Sequence, residues 1–284
     1  MAYITSLAGN SESRIPRSLD PGMASERNSN LFFIGISALL FATGAAATIA
    51  WCGSMSAMEG MSMPGGWTMS MIWMRMPAQT LLGAAANFLG MWVVMMVGMM
   101  MPSLVPMLWR YRQAVFRTSE TRLGPLTALV GLGYFMVWTL IGLGLFPLGA
   151  ALASVEMEIP ALARAVPLMI ALVVLTVGAL QFTSWKAHQL ACCREVPGPR
   201  TLPSDAGTAW RQGIRFGVHC SLSCANLTAI LLAIGVMDLR AMALVAAAIT
   251  AERLAPAPER VAQAVGAVII VAGFLLIARA AGLG

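Results

Sequence analysis

Long apolar blocks, each about the length of a membrane-crossing helix, alternate along this chain with short polar segments. Roughly 20 apolar residues are needed to cross a hydrocarbon core, and only helices or closed barrels satisfy their backbone there. The ten-residue alternation of a membrane barrel is absent from the sequence. The pattern predicts an all-α, polytopic membrane bundle of seven spans, at about 31–51, 83–109, 124–152, 165–185, 213–237, 240–255 and 261–281. The sixth is the shortest and ends in Glu252-Arg253. Residues 1–30 are polar, contain Pro16 and Pro21, and read as a flexible cytoplasmic tail. Residues 31–284 read as one helical transmembrane domain that includes a methionine-rich external loop at 53–80. The first apolar block starts too late for a secretory signal, and the bulk of Trp51 before Cys52 argues against lipoprotein cleavage, so the first span is expected to be retained.

Composition agrees with this class: 58% of the residues are apolar and only 11% are charged, far from a soluble domain. The distribution of basic residues sets the orientation. Segments 1–30, 110–122, 186–215 and 252–260 hold fourteen of the 18 Lys and Arg; the alternate set holds Arg75, Arg164, Arg240 and Arg279. The N-terminus is therefore expected in the cytoplasm of a bacterial inner membrane. The net charge of +6 then reflects a basic face near anionic headgroups, with the lipid bilayer as partner and no nucleic acid.

Fifteen of the 22 methionines lie between Met55 and Met107. One group, Met55, Met58, Met61, Met63, Met69, Met71, Met74 and Met76, falls in the external loop. Thioethers select soft ions, copper(I) foremost, yet the same loop could dip into the interface with Trp67 and Trp73 as anchors. The second group lies in MWVVMMVGMMMP. Met91, Met95 and Met99 recur every four residues, and Met96 and Met100 do so beside them, which places one broad thioether stripe along a helix. Packing and ligation are both open for this stripe, since methionine is a habitual filler of apolar gaps. Gly98 permits close helix approach, and Pro102 and Pro106 favour a kink.

The remaining soft donors cluster. KAHQLACCRE carries His188, Cys192 and Cys193; GVHCSLSCAN carries His219, Cys220 and Cys224. Both stretches are expected at the cytoplasmic ends of consecutive spans. His188 and Cys192 are four apart, as are Cys220 and Cys224, so each pair shares a helix face. Two facing pairs supply the three or four N/S donors of a soft-metal site. Thiol redox exchange and an entirely structural role are the alternatives, the former without a C-x-x-C spacing.

MWVVMMVGMMMP, LQFTSWKAHQLACCRE, WRQGIRFGVHCSLSCANLTAILLAIGVMDL and ITAERLAP resemble, in that order, the landmarks of a bacterial family of predicted metal-binding integral membrane proteins of unknown function. The likeness covers roughly residues 60–280 and implies a multi-helix inner-membrane protein with a metal site. Lys186, Cys193, Arg194, Gly217, His219, Cys220, Cys224, Gly235, Met237 and Glu252 match the family pattern. Gln189 and Ser223 depart from it, standing where cysteine is frequent.

Asn87, Gln181, Asn226, Thr228 and Asp238 are costly in lipid unless partnered. Paired carboxylates within one span, a Ser/His/Asp set and a phosphate loop are all absent from the sequence, which disfavours a hydrolase or nucleotide-driven pump. The expected function is copper handling, with zinc as the lesser candidate metal. His188, Cys192, Cys193, His219, Cys220, Cys224, Met95, Met96, Met99 and Met100 are the candidate ligands, and a membrane oxidase or monooxygenase is the candidate recipient. The competing class is a non-catalytic structural subunit of a larger membrane complex.

Overall fold

In the computed structural model the described residues are 21–56, 61–64, 67–69, 71–73, 79–116, 122–194 and 205–281. They fold into helices α1 (Pro21–Ser56), α2 (Leu81–Phe116), α3 (Leu123–Glu158), α4 (Pro160–Leu180), α5 (Ser184–Arg194), α6 (Ala206–Ile234), α7 (Leu239–Leu254) and α8 (Pro258–Ala280), with a short hairpin, β1 (Met61–Met63) and β2 (Trp67–Met69), before α2. The architecture is all-α, as expected. Six helices, α1 to α4, α6 and α8, are long and apolar enough to cross a membrane. The 16-residue α7 is shorter. Residues 1–36 form one compact unit, of which 21–36 are described and helical; residues 37–284 form the other.

Local chemistry sets the helix ends. Asp205 caps α6, its carboxylate accepting from the Thr208 amide at 3.0 Å and the Thr208 hydroxyl at 2.6 Å. Asp238 caps α7 through the amides of Arg240 and Ala241. Pro160 and Pro258 open α4 and α8, where the missing amide proton costs nothing. Gly235, at φ 138°, closes α6. α2 continues through Pro102 and Pro106 to Phe116.

Within residues 37–284, α6 packs on α3, α8 on α4, and α2 on α3. Small residues allow the closest of these contacts. A Cβ on Gly213 would collide with the Val130 carbonyl, and one on Gly217 would meet the Tyr134 carbonyl at 2.9 Å, so this Gly-x-x-x-Gly spacing presses α6 against α3. The indole of Trp92 donates to the Trp138 carbonyl at 2.9 Å and ties α2 to α3.

Two elements were hidden in the apolar pattern. α6 begins at Ala206, seven residues ahead of the expected span, because Asp205 starts the helix in polar sequence. α5 is a separate 11-residue helix that opens at Ser184, inside what reads as the tail of the fourth span.

Candidate metal centre

The amphipathic spacing of α5 sorts its donors. Lys186, Leu190 and Cys193 fall on one face and are buried, at 0%, 2% and 6% exposure; their i, i+4, i+7 pattern faces α6. His188 is exposed and Cys192 half-buried on another face, with Cys192 Sγ 3.5 Å from His188 Nε2. The six clustered donors therefore divide, because consecutive helical residues project about 100° apart.

Cys220 and Cys224 lie on the buried face of α6 with their sulfurs 3.9 Å apart. Two sulfurs sharing a cation at about 2.3 Å stand about 3.8–4.6 Å apart, from tetrahedral to linear, so this separation already suits a bridged ion. Ser223 links them to Cys193: its hydroxyl is 3.3 Å from the Cys193 sulfur and 3.6 Å from that of Cys224. The Cys193 and Cys224 sulfurs are thus no farther apart than those two distances together. Cys193 Sγ also donates to the His219 carbonyl at 3.1 Å. Tyr134 of α3 closes the other side, its hydroxyl 2.9 Å from Cys220 Sγ.

A cation stands over these sulfurs. Arg253 of α7 donates through Nη2 to Cys193 Sγ at 3.1 Å and to Ser223 Oγ at 3.4 Å, and through Nη1 to Ser103 Oγ of α2 at 3.3 Å. The guanidinium thus places a positive charge and a hydrogen-bond donor directly against the Cys193 sulfur. One residue earlier, Glu252 pairs with Lys186 at 2.8 Å; the two side chains are 2% and 1% exposed. Lys186 Nζ also donates to the Ser223 carbonyl at 2.6 Å and to Asn226 Oδ1 at 3.3 Å, while Gln181 Nε2 donates to Glu252 Oε1 at 2.7 Å. Buried charges persist only when paired and hydrogen-bonded. This network fixes the α5–α6–α7 junction on which the cysteines sit.

His219 is half-buried, and its Nδ1 is without a hydrogen-bond partner among the described residues. No three His, Cys, Asp or Glu side chains among the described residues are already arranged to hold one metal ion. The cluster also sits deeper than expected. Cys220 is the fifteenth of the 29 residues of α6, midway along the helix rather than at its end, since α6 starts earlier than its apolar pattern suggests.

The methionines are interior. Met91, Met95, Met96, Met99 and Met100 are 0–5% exposed, and Ser103, one turn beyond Met99, bonds the Met100 carbonyl and meets Arg253. The stripe thus ends at the thiol cluster. In the preceding segment, Met63 and Met69 are buried with Ala153 and Ala163 and covered by Trp67 and Trp73. Trp67 donates to the Ala163 carbonyl at 2.8 Å, and Trp73 packs on Phe88; both indoles are held by protein. Met58, Met74 and Met76 lie outside the described residues.

Sequence reasoning alone did not assign Tyr134, Ser103 or Arg253 to the site. Arg253 had a usable signal, since a charge closing an apolar helix marks a functional position. Tyr134 had none, because one tyrosine among apolar neighbours reads as packing.

A family model described as PpoB2, copper chaperone, matches residues 89–276, well over half of the chain and the whole of this cluster. Neither a curated protein nor a solved structure matches.

Proposed function

The chain belongs to the family described as PpoB2, copper chaperone, and from that premise we propose that it is a multi-pass membrane protein that takes up copper(I) on Cys193, Cys220 and Cys224. The sulfurs of Cys193 and Cys224 against one hydroxyl, with the Cys220 sulfur 3.9 Å from that of Cys224 and a guanidinium on Cys193, support this reading more than any other feature. Soft thiolates outcompete thioethers and hydroxyls for copper(I). A bound ion at about 2.3 Å from each sulfur requires the Ser223 hydroxyl to yield its place between Cys193 and Cys224. His188 and Cys192, on the accessible face of α5, are the handover pair through which cargo reaches or leaves the buried thiols. The stripe Met95, Met96, Met99 and Met100 is the weaker relay that meets the cluster at Ser103.

The setting completes the proposal. The six apolar helices lie in a bacterial inner membrane with the N-terminus cytoplasmic, and the recipient is a copper-dependent membrane oxidase or monooxygenase. A second reading, a structural subunit whose sulfurs only pack, draws support from the buried Met63 and Met69 and from the lack of a preformed three-ligand group among the described residues.

Copper(I) titration of the detergent-solubilised full chain against a chromophoric chelator separates the two. The copper reading expects tight uptake that falls at least about a hundredfold in Cys220→Ser/Cys224→Ser with the helical content unchanged. Equal uptake by both proteins removes the cysteine cluster as the copper site, and none by either leaves the structural reading.

A further inference from the structure

Cys52 stands apart from the clustered cysteines, and its thiol donates to the thioether of Met237 across 3.7 Å. Cys52 is in the last two turns of α1, 3% exposed. Met237 lies in the turn between Gly235, which ends α6, and Asp238, which caps α7. Two soft donors from segments 185 residues apart are therefore held side by side by two fixed backbone features, a glycine turn and a helix cap.

Their level in the bundle follows from the contacts of α1 with α2. Gly44 lies against Gly98, and Trp51 lies against Gly90, so residues 44–52 of α1 run antiparallel to α2 and Cys52 is level with the start of the methionine stripe, near Met91. α6 continues for ten residues from Cys224 to Ile234, about 15 Å at 1.5 Å per residue, before the turn that carries Met237. The Cys52–Met237 pair and the thiol cluster thus mark the two ends of the buried stripe.

We infer that Cys52 and Met237 form a second soft-cation site, for an ion of the copper(I) class, at the end of the stripe away from Cys220 and Cys224. A thiolate and a thioether suit copper(I) and exclude hard cations. With metal–sulfur bonds of about 2.3 Å, the present 3.7 Å separation corresponds to an angle near tetrahedral, so an ion can be bridged without moving either helix and still present open positions to an incoming or departing ligand. Cys52 lies outside the 89–276 stretch that the family model matches, and Met237 lies inside it. The inference deepens the copper reading and rests on its premise that soft ions are the cargo, though it shares none of the cluster's ligands.

Anaerobic copper(I) titration of three full-length proteins tests it: the native chain, Cys52→Ser/Met237→Leu, and Cys193→Ser/Cys220→Ser/Cys224→Ser. Each variant is expected to bind one ion fewer than the native chain. A Cys52→Ser/Met237→Leu protein that binds as many ions as the native chain overturns the second site, even where the triple variant loses its ion. The reverse pattern, loss in the double variant alone, sinks the cluster and leaves the second site standing. Should a variant fold poorly, silver(I) titration of native protein labelled at its methionine methyls gives the answer: the resonance missing from Met237→Leu shifts on binding, and an unmoved resonance overturns the proposal.

Discussion

Ser223 is the residue on which the cluster turns, because its hydroxyl occupies the point that a fourth sulfur would fill. Ser223→Cys is expected to raise copper(I) affinity at least about tenfold, roughly 1.4 kcal/mol, read by chelator competition; unchanged affinity would mean that the three thiols do not act together. The ion pair beside it behaves oppositely to a metal ligand. Lys186→Met leaves Glu252 charged and buried, so the midpoint of thermal unfolding in detergent should fall by an amount equivalent to about 3–5 kcal/mol, while Lys186→Met/Glu252→Leu recovers most of it. Sequence exposed the soft donors and even the interest of Lys186 and Glu252. It could not pair those two across 66 positions, nor place Tyr134, because a hydrogen-bond partner on another helix leaves no trace in local periodicity.

At the scale of elements, apolar patterning found the long helices and misjudged where they begin. α6 starts in Ala206-Gly207-Thr208, where a cap outweighs hydropathy. The carboxyl of Asp205 is held below the usual carboxylate range, first by the Thr208 hydroxyl and then by the Thr208 amide. A depressed folded value means that the cap stabilises fully above the unfolded value, near 3.9, and that this is lost as pH falls through the lowered folded value. Protection of the Thr208 amide against hydrogen exchange is therefore expected to persist at neutral pH and to drop below about pH 4. Asp205→Ala should show the low-pH behaviour at every pH. The hairpin is a different case: Gly, Ser and Pro neighbours exclude a helix and leave Met63 and Met69 open to two readings, external soft donors or residues dipping into the interface, whereas a short strand pair buries both against protein.

Across residues 37–284, the bundle sets its soft atoms in order, Cys52 and Met237 at one end, the buried methionines between, and the thiols midway along α6. That order was half visible beforehand: the stripe and the thiols were legible as patterns, whereas the position of Cys52 depends on the antiparallel seating of residues 44–52 on α2. One feature of α5 reaches furthest. Cys192 and Cys193 are chain neighbours, one half-exposed and one interior, so a single peptide unit separates a partly accessible sulfur from a buried one. On the copper reading proposed above, an ion would pass between these two sulfurs by ligand exchange, with no lobe of the protein having to swing. Exchange of isotopically labelled copper in vesicles should then proceed at nearly the same rate above and below the chain-melting temperature of the lipid, allowing for ordinary Arrhenius slowing. An abrupt arrest on freezing the acyl chains would reveal a gate that has to rock within fluid lipid.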